Sequence, residues 1–137
     1  MVEVSVTYEG NLRTVAIHGP SGEKLETDAP KDNGGKGEKF SPTDLVAVAL
    51  GTCVLTIMGI QAKLLNIDFT GARVQVRKEM QPSPQRMIAK LEVDFFFPKQ
   101  LDDAQKAKLE KAAMHCPVHA SLHPSIEQKF TFNWGQA

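Results

Sequence analysis

The beginning of the chain alternates between hydrophobic and polar residues, the period-two pattern of a strand with one buried face. Val2, Val4 and Val6 follow this pattern. Gly10-Asn11 then predicts a turn, and residues 13–18 predict the returning strand of a hairpin. Residues 31–39 are rich in glycine, asparagine and charged side chains, so we expect a mobile loop there.

A helix start signal follows this loop at Ser41-Pro42-Thr43-Asp44. Ser41 can accept hydrogen bonds from the first turn, Pro42 suits the first helical position, and Asp44 can complete a capping box. The segment from Asp44 to Leu65 contains no proline and almost no charge, and Asn66 suits a left-handed stop. The sequence therefore predicts a helix roughly 33 Å long.

This helix is apolar on nearly every side, so we expect it to be buried on nearly every side. A membrane span is the competing interpretation. Small and polar residues dilute the run below the ~20 predominantly apolar residues that a bilayer requires; they are Gly51, Thr52, Cys53, Thr56, Gly59 and Gln61. We therefore favour a central core helix that packs against the same helix of a second copy.

The second half of the chain predicts a strand at 71–78, a turn at 81–84 and a hairpin partner at 87–97. Asp102 can cap a helix over 104–114, and Pro117 can start a short helical turn over 119–122. Residues 126–134 predict a last strand. The pattern is that of one α+β domain over residues 1–137.

Composition narrows the function. Lys and Arg total 16, as do Asp and Glu, so the formal net charge is zero and gives no reason to expect binding to nucleic acid or to an anionic membrane. The N-terminal residues do not have the pattern of a signal peptide, so we expect a cytoplasmic protein. Thiols stay reduced in that compartment, where a cysteine pair is more often catalytic, redox-sensing or metal-binding than structural.

The chain has two cysteines, Cys53 in the apolar helix and Cys116 between His115 and Pro117. A lone cysteine in such a helix usually serves as core, but proline after Cys116 presents that sulfur at a helix start. A helix N-terminus and a cationic neighbour both lower a thiol pKa. A thiolate can attack the O–O bond of a peroxide, and a second thiol can trap the sulfenic acid as a disulfide. Arg13 is the best candidate for a cation that stabilises the thiolate and the departing anion.

Two other kinds of site remain open. Zinc accepts two cysteines and two histidines, and Cys53, His115, Cys116 and His119 would supply them. The adjacent His115 and Cys116 cannot easily point at one ion, so we expect His115 and His119 to cap a helix end or to tune Cys116. The third hypothesis is a scaffold that binds a small apolar molecule or a partner without turnover, which the long apolar helix and residues 95–97 (Phe-Phe-Phe) would suit.

The segments Ser41-Pro-Thr-Asp-Leu-Val-Ala-Val-Ala-Leu-Gly-Thr-Cys53 and His115-Cys-Pro-Val-His-Ala-Ser-Leu122 resemble the OsmC/Ohr family of thiol-dependent hydroperoxide reductases. The resemblance follows the family's order of elements over essentially the whole chain. It implies that Cys53 attacks the peroxide, that Cys116 resolves the sulfenic acid, and that Arg13 activates Cys53. It also implies an intertwined homodimer, with antiparallel sheets around two long central helices and active sites at the subunit interface.

The resemblance further implies no bound cofactor and an external dithiol reductant, for which a lipoyl-type dithiol is a candidate. We expect organic hydroperoxides as substrates, because Val54, Ile57, Phe95 and Phe97 could offer an apolar wall. The chain departs from the family's best-defined peroxidases at Thr43, where those proteins carry a glutamate that pairs with the arginine. Asp44 and Glu38 are the carboxylates that could replace it.

Overall fold

The computed structural model describes residues 1–136 and confirms an α+β fold with two three-stranded sheets. The elements are β1 Val4–Gly10, β2 Arg13–His18, β3 Lys24–Asp28, a 3₁₀ turn Lys31–Asn33, α1 Pro42–Leu64, β4 Arg73–Gln81, β5 Met87–Phe97, α2 Asp103–Ala113, α3 Pro117–Ser121 and β6 Glu127–Trp134. They fall into two compact units, Met1–Val46 and the chain from Ala47 onward. A single domain over residues 1–137 stays a prediction.

The first unit is an antiparallel sheet in the order β1-β2-β3. The predicted hairpin is present, and its turn uses positive φ angles at Gly10 (87°), Asn11 (54°) and Leu12 (62°). The sequence pattern missed β3. The expectation of a half-buried first strand was wrong for the isolated chain, because Val4 and Val6 are 55% and 64% exposed.

Residues 31–39, predicted to be a loop, contain the 3₁₀ turn and several ordered backbone contacts. The N–H groups of Asn33 and Gly35 both donate to the carbonyl of Pro30, each at 3.0 Å. The N–H of Glu38 donates to Asp28 Oδ2 at 3.1 Å. The loop is therefore tied to the end of β3.

The second unit contains the sheet β4-β5-β6. The predicted hairpin of β4 and β5 is antiparallel, and β5 begins and ends where the sequence predicts. The expectation of purely antiparallel sheets was wrong, since β5 and β6 pair in parallel. Parallel neighbours require a crossover connection, and α2 and α3 supply it between these two strands.

The start and stop signals of α1 work as predicted. Ser41 N–H donates to Asp44 Oδ2 at 2.9 Å, and Asp44 N–H donates to Ser41 Oγ at 3.1 Å, which completes the capping box. Asn66 adopts the left-handed conformation, with φ 55°. In α2, Asp102 likewise caps the helix as expected, in a capping box with Gln105.

Burial of α1 on nearly every side was a wrong expectation for the single chain. Ile60 and Leu64 are 56% and 73% exposed, and the buried residues are Ala47, Leu50, Gly51, Val54, Met58 and Ala62. The small and polar residues also do not bring α1 below the apolar character of a membrane span, contrary to the expectation from the sequence, because an 18-residue window has a mean hydropathy of 2.1. By length and composition alone the helix could cross a membrane, but core helices meet the same criterion.

The core of the second unit is built from β5 and aromatic rings around it. Leu91, Val93, Phe95 and Phe97 alternate along β5 and have no exposed area. Phe95 stacks on Phe132 at 5.1 Å between ring centroids, and Phe97 stacks on Trp134 at 4.0 Å. These stacked pairs hold β6 beside β5.

Candidate active site

Cys53 lies on α1, partly exposed, one residue before the fully buried Val54. Cys116 is fully buried and forms the N-cap of α3, with Pro117 in the first turn. The N–H of His119 donates to Cys116 Sγ at 3.4 Å. The predicted position of this sulfur at a helix start is therefore confirmed.

The two thiols are neighbours, and both are free. Burial, and then a hydrogen bond with Cys53, raise the pKa of the Cys116 thiol above its ordinary value, although the N–H of His119 opposes the change. The expectation that the local sequence would lower this pKa was wrong, because desolvation exceeds the effect of one short helix. The raised pKa favours the protonated form of Cys116.

The two histidines near Cys116 have structural partners. His115 Nδ1 donates to the carbonyl of Lys111 at 2.9 Å, which satisfies the end of α2. His119 Nδ1 is hydrogen-bonded to Gln128 Oε1, and its ring lies 5.4 Å from that of Phe130. Within residues 1–136, no three His, Cys, Asp or Glu side chains converge as a metal site would require.

The first unit contains the candidate cation. Arg13 Nη2 lies 3.0 Å from Glu38 Oε2 and 3.5 Å from Asp28 Oδ2. The hydrogen bond to Glu38 and then the charge of Asp28 raise the pKa of Arg13, against desolvation. Glu38 therefore pairs with Arg13, whereas the carboxylate of Asp44 caps α1. Thr43 Oγ1 lies 3.3 Å from Ser41 Oγ in the same cap.

Sequence reasoning missed Asp28, the buried member of this cluster. Its side chain is 1% exposed. The N–H of Glu38 and then Arg13 hold the pKa of Asp28 below its ordinary value, although burial opposes them. The available signal was strand pairing: once 24–28 is recognised as a strand, Asp28 falls opposite Arg13.

The expected apolar substrate wall is mostly core. Val54, Phe95 and Phe97 have no exposed area in this chain, and only Ile57 of that set is partly exposed. These three side chains pack against protein atoms and leave no surface for a substrate. Their apolar character arises from core packing, which the sequence pattern could not distinguish from a binding wall.

The chain is an α+β protein with two sheets and a pair of neighbouring cysteines. One cysteine lies on a long apolar helix, and the other lies at the start of a short helix. The family model for OsmC-like proteins matches residues 35–131. The chain therefore belongs to the OsmC family.

Solved structures share this fold. A Psychrobacter arcticus 273-4 protein named for osmotic stress induction and a detoxification response is 44% identical, covering 97% of this chain and 96% of that chain, with a TM-score of 0.92. An organic hydroperoxide resistance protein OsmC from Legionella pneumophila is 15% identical over 97% and 96%, with a TM-score of 0.76. An OsmC-like protein from Mycoplasma pneumoniae is 13% identical over 98% and 96%, with a TM-score of 0.81. The last two show the fold alone, and no curated protein matches the chain.

Proposed function

We propose that the protein is a thiol-dependent peroxidase that reduces organic hydroperoxides. The observation that carries the proposal is the pairing of a partly exposed Cys53 with a buried Cys116. One accessible thiol and one buried neighbour are the arrangement that a peroxide-attacking and a resolving cysteine need. The names of similar proteins, which refer to detoxification and to organic hydroperoxide resistance, support the same chemistry.

The reaction has two steps in the protein. The Cys53 thiolate attacks the distal oxygen of the hydroperoxide, the O–O bond breaks, and an alkoxide leaves as Cys53 becomes a sulfenic acid. Cys116 then forms an S–S bond with Cys53 and displaces the hydroxyl group as water. Arg13 supplies the positive charge that favours the Cys53 thiolate and the departing alkoxide.

Turnover requires an external dithiol, which reduces the Cys53–Cys116 disulfide and becomes a disulfide itself. A lipoyl-type dithiol is the reductant that we propose to test first. No bound cofactor takes part in this cycle. The cytoplasm suits it, because thiols there are kept reduced.

We also propose that the protein acts as a homodimer. Val6 and Tyr8, on one face of the first sheet, are each 64% exposed, and Leu64 of α1 is 73% exposed. Isolated exposed apolar residues are common, but a strand face or a helix side that exposes large apolar residues is more typical of an association surface. A second copy offers the same apolar surfaces and would cover both.

The cysteine roles can be separated in one experiment. Cys53→Ser should abolish consumption of cumene hydroperoxide. Cys116→Ser should allow one oxidation and then stop with a sulfenic acid on Cys53, detected by dimedone and mass spectrometry. Wild type should lose both thiols to an intramolecular disulfide. Turnover that persists in both single variants would contradict the mechanism.

The alternative is a non-catalytic protein that binds a small molecule or a metal. An open groove of about 620 Å³ at the end of α1 favours the small molecule; it is lined by Leu55, Gly59, Ala62, Lys63 and residues 66–72. Retention of both thiols after one equivalent of peroxide would favour this alternative. Stoichiometric zinc in the same sample would favour the metal-binding form.

A further inference from the structure

Asp28 is a buried carboxylate that the proposed cycle does not yet use. Its side chain is 1% exposed, and no group among residues 1–136 meets hydrogen-bond geometry at its Oδ1, although the N–H groups of Lys36 and Ala29 also help to lower its pKa. Aspartate is almost never fully buried unless it is paired, and a buried oxygen without a partner costs free energy. A serine or asparagine would avoid the charge, so the ionised group requires a physical reason.

The backbone around Asp28 fixes the carboxylate from two sides. Asp28 ends β3 directly opposite Arg13 in the ladder with β2. Its own N–H donates to the carbonyl of Phe40 at 3.1 Å. Its Oδ2 accepts from the N–H of Glu38 at 3.1 Å and faces Arg13 Nη2 at 3.5 Å. Asp28 therefore links the arginine strand to the segment that leads into α1.

Glu38 binds the same Arg13 nitrogen from a different environment. Its Oε2 lies 3.0 Å from Nη2, but its side chain is 56% exposed. Exposed ion pairs are weak, because water and salt compete for both charges. The Arg13–Glu38 contact is thus shorter but easier to exchange, whereas burial preserves the longer Arg13–Asp28 contact.

We propose that Asp28 is the positioning residue of Arg13, and that Glu38 is the partner that the guanidinium can exchange for another anion. This inference rests on the proposed peroxidase function. Asp28 acts through Arg13 and touches no reacting atom. Its negative charge keeps the guanidinium fork at the end of β2 while the exposed side of the fork changes partner.

The first test reads the position of Arg13 without any peroxide. Phenylglyoxal modifies accessible arginines, and peptide mass spectrometry gives the rate at each one. Asp28→Asn should raise the modification rate of Arg13 several-fold. Arg77, which pairs with Glu92 at 3.0 Å and Asp94 at 2.7 Å, is the internal control and should not change. An unchanged Arg13 rate in Asp28→Asn would overturn the proposal.

The second test separates Asp28 from Glu38 by rate. Asp28→Asn should slow oxidation of Cys53 by about tenfold and shift its pH profile upward, because the lost cation position raises the thiol pKa. Glu38→Gln, which removes the same charge, should stay within about threefold. A larger effect in Glu38→Gln would reverse the roles of the two carboxylates and overturn the proposal.

A double-mutant cycle excludes a merely structural role. In the Arg13→Ala background, Asp28→Asn should cause no further loss of rate, whereas a persistent loss would contradict action through Arg13. Should Asp28→Asn not fold, NMR titration of Asp28 in wild type and Arg13→Ala replaces it: the carboxyl pKa should rise when Arg13 is removed. Should wild type lack peroxidase activity, the phenylglyoxal and NMR results still decide the Asp28–Arg13 pairing.

Discussion

The two units of the chain bury opposite kinds of side chain. In residues 1–46 the buried residues are Thr27, Asp28 and Ser41, all of them polar. In the unit from Ala47 onward the buried residues are almost all apolar, from Leu50 in α1 to Ala113 in α2. Several large apolar residues of the first unit are instead exposed, Tyr8 and Phe40 among them.

The candidate site residues are therefore held in position in two different ways. The cysteines stand on a packed apolar core, which fixes side-chain positions by shape. Arg13 stands on a small sheet held by hydrogen bonds and ion pairs, and such a sheet needs an apolar face covered to be stable on its own. The position of Arg13 therefore depends on the surface that covers β1, whereas the positions of the two thiols do not.

The largest expected effect tests the core side of this comparison. Leu91→Ala removes a fully buried side chain from β5 and should lower the free energy of unfolding by about 2–5 kcal/mol. Val6→Ser, at an exposed position, is the matched change in the first unit. Chemical denaturation at two protein concentrations measures both.

The Val6→Ser variant tests whether a second copy of the chain covers the first unit. In a monomer, Val6→Ser should change the free energy of unfolding by no more than about 0.5 kcal/mol. If a second copy covers β1, the change should exceed this value and depend on protein concentration, and sedimentation should show weaker association. A stable folded wild-type monomer at micromolar concentration would contradict the dimer.

The next effect concerns the role of Arg13, in the polar first unit, in catalysis. Arg13→Ala should slow attack on the peroxide by ~10²–10³, about 2.7–4 kcal/mol, if Arg13 acts like one preorganised electrostatic donor. Arg13→Lys should recover only part of the rate, because a compact ammonium lacks the planar fork. Thiol alkylation against pH gives the accompanying rise in the Cys53 pKa. Superimposable profiles and equal rates would make Arg13 an exposed charge at a hairpin end.

The sequence predicts the elements that depend on nearby residues better than those that depend on distant pairing. The capping signals at Ser41 and Asp102 locate α1 and α2, and alternation locates β5, because each of these depends on nearby residues. β3 was missed because Lys24–Asp28 alternates only weakly, and its partner β2 supplies the hydrogen bonds. The parallel pairing of β5 and β6 likewise depends on contacts far apart in the chain.

The candidate site divides in the same way. Cys53 and Cys116 are rare residues in distinctive local settings, so their pairing could be expected from the sequence. Asp28 and Glu38 are common residues, and only strand register and loop geometry bring them to Arg13. The direction of the Cys116 pKa also depended on burial, which no local pattern reports.

The smallest expected effect tests how closely α1 packs in the apolar unit. Gly51 and Gly59 both lie inside α1, where replacing glycine by alanine should favour the helix by up to about 1 kcal/mol. A Cβ at Gly51 would lie 3.0 Å from Val76 Cγ2 and 3.2 Å from Val74 Cγ1, whereas a Cβ at Gly59 would meet Phe69 Cζ at an ordinary 3.7 Å.

The two glycines should therefore respond with opposite sign. Gly59→Ala should raise the free energy of unfolding by about 0.5–1 kcal/mol. Gly51→Ala should lower it by about 1 kcal/mol, because overpacking costs about 1–3 kcal/mol and β-branched valines on β4 cannot easily turn aside. Equal stabilisation in both variants, measured by denaturation, would mean that β4 shifts to make room for the added methyl group on α1. A destabilising Gly59→Ala that also weakens association would instead put a helix of the second copy against Gly59.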